Sequence, residues 1–339
     1  GLDPEADAPR TRVSTAAGQL LQMPSTRGSE VGTKLLTLTP DNPERGLPVI
    51  QGVYVLFGAP GTPGQAPRAV LDGVELTGLR TSAVSALGVR LLADASPRHL
   101  VVFGTGVQAW EHALTFQDVF GLEWVSVVGR DADRAAALAA RIEAELGVTA
   151  STADSEAVAE ADVVVTCTAA MAPLFDGTLV PEHATVVAMG SHTTDARETD
   201  DALARRATVA VESRDSAARE AGDVTLAVAS GALAGIEDTV TLAELVAGTA
   251  RRQEGAPALF VTTGMPWQDL AGPGGGERGG AGGAGLSRGG RVQLADRGRV
   301  PATDGEEDEG AGEPDQISRH ERGAAGLRGV SPVEHAPSG

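Results

Sequence analysis

Lysine is almost missing from this chain. Among 339 residues there is one, Lys34, and the other members of the Lys and Arg total are arginines. Cysteine is equally scarce. The single Cys167 excludes an internal disulfide and suits a reducing, cytoplasmic compartment. Aromatic residues make up 3% of the chain, so its interior has to be largely aliphatic. Basic residues number 27 against 46 acidic ones, a net charge of -19, which argues against nucleic acid or an anionic membrane surface as partner. No apolar run reaches the roughly 20 residues that a spanning helix needs. No secretory apolar region opens the sequence either. It starts at Gly1 rather than methionine, as a fragment or a processed chain would.

A hydrophobic fraction of 42% over this length suits two domains, each with its own core. Residues 1–95 read as short β-prone runs at 18–23, 33–39, 52–57 and 68–71, broken by Pro, Gly and Asn. A helix over 76–93 follows, with Thr77 as its expected N-cap. From residue 100 the rhythm changes. Apolar runs at 100–103, 124–128, 162–166, 184–189, 207–211 and 258–261 alternate with helical segments, the pattern of a doubly wound parallel sheet in an α/β fold. After Ala271 the composition turns to Gly, Arg and acidic residues without apolar periodicity. Residues 272–339 are therefore expected to be a disordered tail.

The first run of the parallel series leads into FGTGVQAWEHALTF. Gly104 and Gly106 fall at a strand-to-helix turn, and Ala109 takes the third, small-residue place of a dinucleotide fingerprint. Glycine permits the turn and the close approach of a pyrophosphate, and the helix N-terminus offers free N–H groups. Gly104, Gly106, Val107 and Gln108 are the candidate cofactor contacts here. The next strand ends VSVVGRDADR, with Arg130 at its tip and Asp131 beside it. A guanidinium there can pair with a 2′-phosphate, so NADP is favoured over NAD. Asp131 either caps the helix over 132–146 or binds the ribose itself. Thr166 and Thr168, where a later strand ends, are placed to line the nicotinamide pocket. No metal-ligand constellation stands out, and the acidic run EEDE reads as a solvated charge cluster.

With those residues placed, the chain resembles the ornithine cyclodeaminase/mu-crystallin family. The segments that carry the resemblance are APRT, GQLLQMPS, GTKLLTL, LDGVELTGLRTSAVSALG, GTGVQA, ADVVVTCTAAMAPLF, AMGSHTTDARETD and ESRDSAAREAGD. It implies a Rossmann dinucleotide-binding domain over 96–264 and a smaller α+β substrate and dimerisation domain over 1–95, to which 265–271 return. It also implies a homodimer and hydride transfer between NAD(P) and the α-carbon of a small amino or imino acid. Two alternatives share these motifs: ornithine cyclodeaminase proper, which turns L-ornithine into L-proline and ammonia, and an inactive crystallin-like nucleotide-binding protein.

The resemblance gives the lone lysine a purpose. In the family a lysine of the GTK segment and arginines of the PR and LRT segments hold the substrate carboxylate. Lys34, Arg10 and Arg80 occupy those positions, with Lys34 also a catalytic candidate and Arg12 a rival to Arg10. Lys34 alternates onto the strand face of Leu36 and Leu38, a partly buried setting for a cation. Arg80 is expected in the first turn of a helix, where a cation opposes the macrodipole and wants an anion nearby. Thr81 and Gly190 complete the candidate cofactor contacts. The departures are as informative. Where cyclodeaminases carry a Gly-Gly-Asp-x-Pro-like turn, this chain has Gly190-Ser191-His192-Thr193-Thr194, so His192 takes the place of the aspartate. It is the second catalytic candidate, since a histidine can move protons near neutral pH. The segment 260–264 lacks the family's lysine. A longer N-terminal segment and a C-terminal helix are also implied but not evident, and both would belong to the dimer-forming domain.

Overall fold

The computed structural model describes residues 4–58 and 64–274. The expected tail lies outside the described residues from position 275 onward.

Near the N-terminus a five-stranded antiparallel sheet runs in plain sequence order: β1 (Thr11–Thr15), β2 (Gly18–Arg27), β3 (Glu30–Leu38), β4 (Ile50–Phe57) and β5 (Pro67–Asp72). Burial alternates along β3, where Glu30, Gly32, Lys34 and Leu36 point inward and Leu35 and Thr37 outward, as the period of a pleated strand requires. Register sets Lys34 between Met23 of β2 and Tyr54 of β4, in the middle of the covered face. Gly32 makes room for Tyr54, because a Cβ there would overlap the tyrosine hydroxyl. The opposite face of the sheet leaves Val13, Leu20, Leu35, Val53 and Val70 exposed. β1 was not legible in the sequence: all five of its residues are exposed, so no apolar alternation marks it.

The helix that follows, α1 (Gly73–Leu92), begins three residues earlier than expected. Asp72 is its N-cap, accepting from the N–H groups of Val74 at 2.8 Å and Glu75 at 3.1 Å. Thr77 is not the cap; it lies inside the helix and its hydroxyl donates to the Gly73 carbonyl at 2.6 Å. Arg80 consequently stands in the third turn, beyond the reach of the N-terminal dipole. The helix serves both sheets. Its first half covers the small one, and Gly88 lets its second half lie directly on the Phe260 ring of the large one.

The second sheet is parallel throughout and has eight strands. In chain order its elements are β6 (His99–Phe103), α2 (Val107–Phe120), β7 (Trp124–Val128), α3 (Ala132–Leu146), β8 (Thr149–Thr152), β9 (Val163–Thr166), β10 (Thr185–Ala188), α4 (Asp201–Arg206), β11 (Thr208–Val211), α5 (Arg214–Glu220), α6 (Gly222–Ala229), β12 (Val240–Thr241), α7 (Leu242–Ala247), β13 (Ala258–Val261) and α8 (Pro266–Gly274). Strands lie in the order β12-β11-β13-β10-β9-β6-β7-β8. All residues of β9, β10 and β13 are buried, which is why they read as unbroken apolar runs. β8 and β12 escaped notice, one being a polar TAST segment and the other two residues long. α8 returns to the small sheet and packs on β2, β3 and α1. Among the described residues no helix is long and apolar enough to cross a membrane.

Candidate active site

The chain runs outward from β6 through β7 to β8, then restarts at β9 on the other side of β6. That reversal opens a crevice at the carboxyl ends of β6 and β9. Pairing of Phe103 with Thr166 and of Thr166 with Ala188 keeps the neighbouring strand ends level. Gly104 leaves β6 with φ +116°, a conformation that side chains rarely adopt, and a Cβ would press on the Cys167 carbonyl. Gly106 caps α2 without any side-chain hydrogen bond, and a Cβ there would meet nothing within 4 Å. The first turn of α2 therefore faces open space with its N–H groups unspent. This fits a pyrophosphate. Val107 is exposed on that turn, Ala109 is fully buried under it, and Gln108 Oε1 is buried without a hydrogen-bond partner among the described residues.

Arg130 follows β7 as an exposed side chain, and among the described residues no ion pair or hydrogen bond holds it. Asp131 does cap α3, accepting from the Arg134 N–H at 3.1 Å. His112, one helical turn into α2, ties that helix to α1 through Ser85 at 2.8 Å and to the Gln108 carbonyl at 2.7 Å. Burial pushes its imidazole down to about 4, so it is a neutral strut.

On the other lip of the crevice a carboxylate does work that the sequence did not reveal. Glu198 is fully buried. One of its oxygens accepts from the Thr168 N–H at 2.9 Å and the Thr168 hydroxyl at 2.5 Å. The other accepts from the Thr166 hydroxyl at 2.7 Å and the Gly190 N–H at 2.7 Å. Thr166, Thr168 and Gly190 are thus gathered on one side chain that laces β9 to β10. Burial raises the Glu198 carboxyl above its ordinary range, against the pull of these donors. Thr81 is placed differently. It is buried in α1, and its hydroxyl donates to the Thr77 carbonyl of the same helix at 2.6 Å.

The three basic residues read from the sequence converge. Lys34 is not partly but wholly buried, and Asp269 of α8, also wholly buried, stands beside it with oxygens at 2.9 and 3.0 Å from Nζ. Nζ also donates to Thr77 Oγ1 at 3.1 Å. Arg80 Nε lies 3.3 Å from the same aspartate, and its Nη1 donates to Gln268 Oε1 at 2.8 Å. The Arg80 guanidinium rests on the backbone of Gly264, whose carbonyl accepts from Arg10 Nη2 at 2.5 Å. Arg10 also donates to the Thr263 carbonyl at 2.7 Å and pairs with Glu220 at 3.0 Å. Arg12, exposed, shares that Glu220 at 3.3 Å. Glu212 fixes the turn between β13 and α8 by accepting from the Thr263 and Gly264 N–H groups, both at 3.0 Å.

This concentration of positive charge has electrostatic consequences. Burial first, and then Arg80, hold the Lys34 ammonium down to about 7 despite Asp269. His192 is no free surface histidine. Burial and the fields of Arg10, Arg80, Arg12 and Lys34 push its imidazole down to about 3. Among these cations the imidazole is neutral near pH 7. Arg80 Nε, His192 Nδ1 and Asp269 Oδ2 are all shut from solvent without a hydrogen-bond partner of good geometry among the described residues. Such orphaned groups are costly unless something else satisfies them. Asp269 carried one sequence signal: it is the only charged residue between Glu254 and Glu277.

Known proteins resemble this chain over most of its length. A Delta(1)-pyrroline-2-carboxylate/Delta(1)-piperideine-2-carboxylate reductase of Azospirillum brasilense is 35% identical over 257 residues, 76% of this chain and 79% of the relative. The ketimine reductase mu-crystallin of Mus musculus is 32% identical over 261 residues, covering 76% and 79%. The solved Thermococcus litoralis Delta(1)-pyrroline-2-carboxylate reductase, in complex with NADH and L-proline, superimposes with a TM-score of 0.72 at 27% identity over 78% of this chain and 84% of its own. The family description of ornithine cyclodeaminase/mu-crystallin proteins matches residues 5–272, and the chain belongs to that family.

Proposed function

We propose that this protein is an NAD(P)-dependent oxidoreductase acting at the α-carbon of a small cyclic imino acid or its amino-acid counterpart, as a ketimine or pyrroline-2-carboxylate reductase does. The observation that carries the reading is the buried meeting of Lys34, Arg80 and Arg10 around Gly264 and Asp269. Two cations share one carboxylate there, and the unmatched charge calls for an anion. A substrate carboxylate supplies it. When bound, the nicotinamide supplies or accepts the hydride. Gly104, Gly106, Val107 and Gln108 would hold the pyrophosphate, and Thr166, Thr168 and Gly190, drawn together by Glu198, would face the ring. Lys34, poised near neutrality, orients the carboxylate while charged and can exchange a proton with the substrate nitrogen. The division of labour follows: 1–95 with 265–271 serve the substrate and 96–264 the dinucleotide. Screening cyclic imines with NADPH and NADH, beside amino acids with NAD(P), tests this. Tight dinucleotide binding with no turnover in either direction would favour a crystallin-like binding protein instead. Ornithine cyclisation is not favoured, because a neutral His192 stands where that chemistry uses an aspartate.

NADP is the better fit of the two cofactors. Arg130 has no partner among the described residues and Asp131 is spent on the α3 cap, so the strand tip offers a guanidinium to a 2′-phosphate and no carboxylate to the 2′-hydroxyl. NADPH should bind about tenfold more tightly than NADH. Arg130→Ala should erase most of that difference and leave NADH unaffected. Fluorescence titration of both cofactors on both proteins decides the matter, and tighter NADH binding by the parent overturns it.

The uncovered face of the small sheet suits a second copy of the chain. Val13, Leu20, Leu35, Val53 and Val70 form an exposed apolar surface too extended for a lone domain to leave in water. Sedimentation should show a dimer, and Val53→Glu should drive it toward monomer. A parent protein that sediments as a monomer refutes the assembly. Its unpaired Cys167 suits a cytoplasmic setting.

A further inference from the structure

We infer that Asp269 is a positioning residue for the reaction: it keeps Lys34 and Arg80 together, charged and correctly spaced, for the substrate carboxylate. The inference rests on the reading of Lys34 given above. A purely structural carboxylate could fasten α8 to the sheet, but the geometry asks more of this one. Asp269 lies 235 residues from Lys34 in the chain, and its two oxygens address both cations rather than one.

The ammonium can be accounted for proton by proton. Thr77 spends its own hydroxyl proton on the Gly73 carbonyl, so toward Lys34 it can only accept. One N–H goes to Thr77 and one to Asp269 Oδ1. The third can turn toward Asp269 Oδ2, 2.9 Å from Nζ but poorly aligned, or toward a bound anion. Arg80 is held at one end by Gln268 and along its edge by Asp269, two consecutive residues of the first turn of α8. That turn therefore sets the distance between the two cations. Gln268 is itself fixed by Glu212, so α8 enters the site from an anchored turn.

The same carboxylate governs charge. The titratable or charged groups facing Lys34 are Arg80 on α1, Arg10 on the N-terminal segment, Tyr54 on β4, His192 beyond β10 and Asp269 on α8, with Asp7 acting on Asp269. Arg80 and Arg10 discourage protonation of the lysine, Tyr54 and His192 are neutral, and Asp269 is the anion that favours the charged form. Removing its charge should let Lys34 lose its proton at a lower pH, and the clamp would then be short of a cation at neutrality.

The single lysine makes the test direct. Protein grown on lysine labelled with carbon-13 at Cε gives one side-chain resonance, whose titration reports Lys34 alone. In Asp269→Asn the midpoint should fall by about one pH unit or more relative to the parent. The decline of kcat/KM with rising pH should move by the same amount, with KM at pH 7 affected more than kcat. Parental NADPH affinity certifies that the variant has folded, and Asp269→Ser is read in the same way if the amide variant does not fold. A titration and a pH profile superimposable on the parent overturn the inference, even if activity drops uniformly. Lys34→Met separates the two readings. If that variant keeps the parental KM, the substrate role of Lys34 is wrong; if it loses substrate while Asp269→Asn leaves the titration unmoved, only the role of Asp269 is wrong.

Discussion

Lys34→Met should raise KM for an active imino acid about ten- to a hundredfold and leave dinucleotide affinity where it was. The size follows from losing one charge-assisted contact to a carboxylate, about 1.5–3 kcal/mol. Stability should not suffer in parallel. Methionine fills a similar volume, and Asp269 keeps Arg80 as a partner at 3.3 Å, so the substitution removes a desolvated cation without stranding its counter-charge. The pH dependence gives a sharper form of the same expectation. The lysine is held at about 7 in the folded protein, against an ordinary value of 10.5. Between those two values the unfolded chain binds more protons than the folded one, so stability rises with pH across that window. Below pH 7 the handicap is fully present; above about 10.5 it is gone. Lys34→Met lacks this contribution, and its advantage over the parent in melting temperature should shrink as pH rises from 7. A variant that melts well below the parent at every pH, or that keeps the parental KM, would show that the lysine is a structural strut.

Glu198→Gln should be the most damaging conservative substitution on the nucleotide side. Each carboxylate oxygen faces one backbone N–H and one threonine hydroxyl. The hydroxyls can rotate to accept, but the N–H groups of Thr168 and Gly190 cannot. A glutamine amide must turn its NH₂ toward one of them, leaving a buried donor facing a donor. That costs about 1–3 kcal/mol. The surroundings of Gly190 are tight, since even a Cβ there would overlap the Thr168 carbonyl and Glu198. The expected result is a lower melting temperature together with weaker dinucleotide binding and slower turnover. Unchanged cofactor titration and thermal unfolding in Glu198→Gln would sink the view that this carboxylate shapes the nicotinamide lip.

The sequence disclosed the parallel sheet well, because strands buried on both faces must be apolar throughout. Residues 258–261 carry that signal and are β13 in the structure. It disclosed little about strands whose backbones do the work without apolar side chains, such as β1 and β8. The start of α1 was misread for a chemical reason: Asp72 and Thr77 are both credible caps, and only the fold shows which one has free N–H groups above it. Lys34 was conspicuous through its rarity, and the glycines of the α2 turn through their spacing. Asp269 and Glu198 were not, since their partners lie 235 and 30 residues away in the chain and a lone carboxylate has no spacing to betray it.

The burial of Lys34 also turns the chain into its own gauge of unfolding. A lysine-specific endoproteinase has a single peptide bond to attack in the whole sequence, and that bond follows a side chain with no solvent exposure in the middle strand of a five-stranded sheet. Cleavage must wait until the sheet opens. Under conditions where opening and closing outrun the protease, the rate of that one cut reports the population of the open form. The two fragments, cut just after residue 34, can be counted without any label.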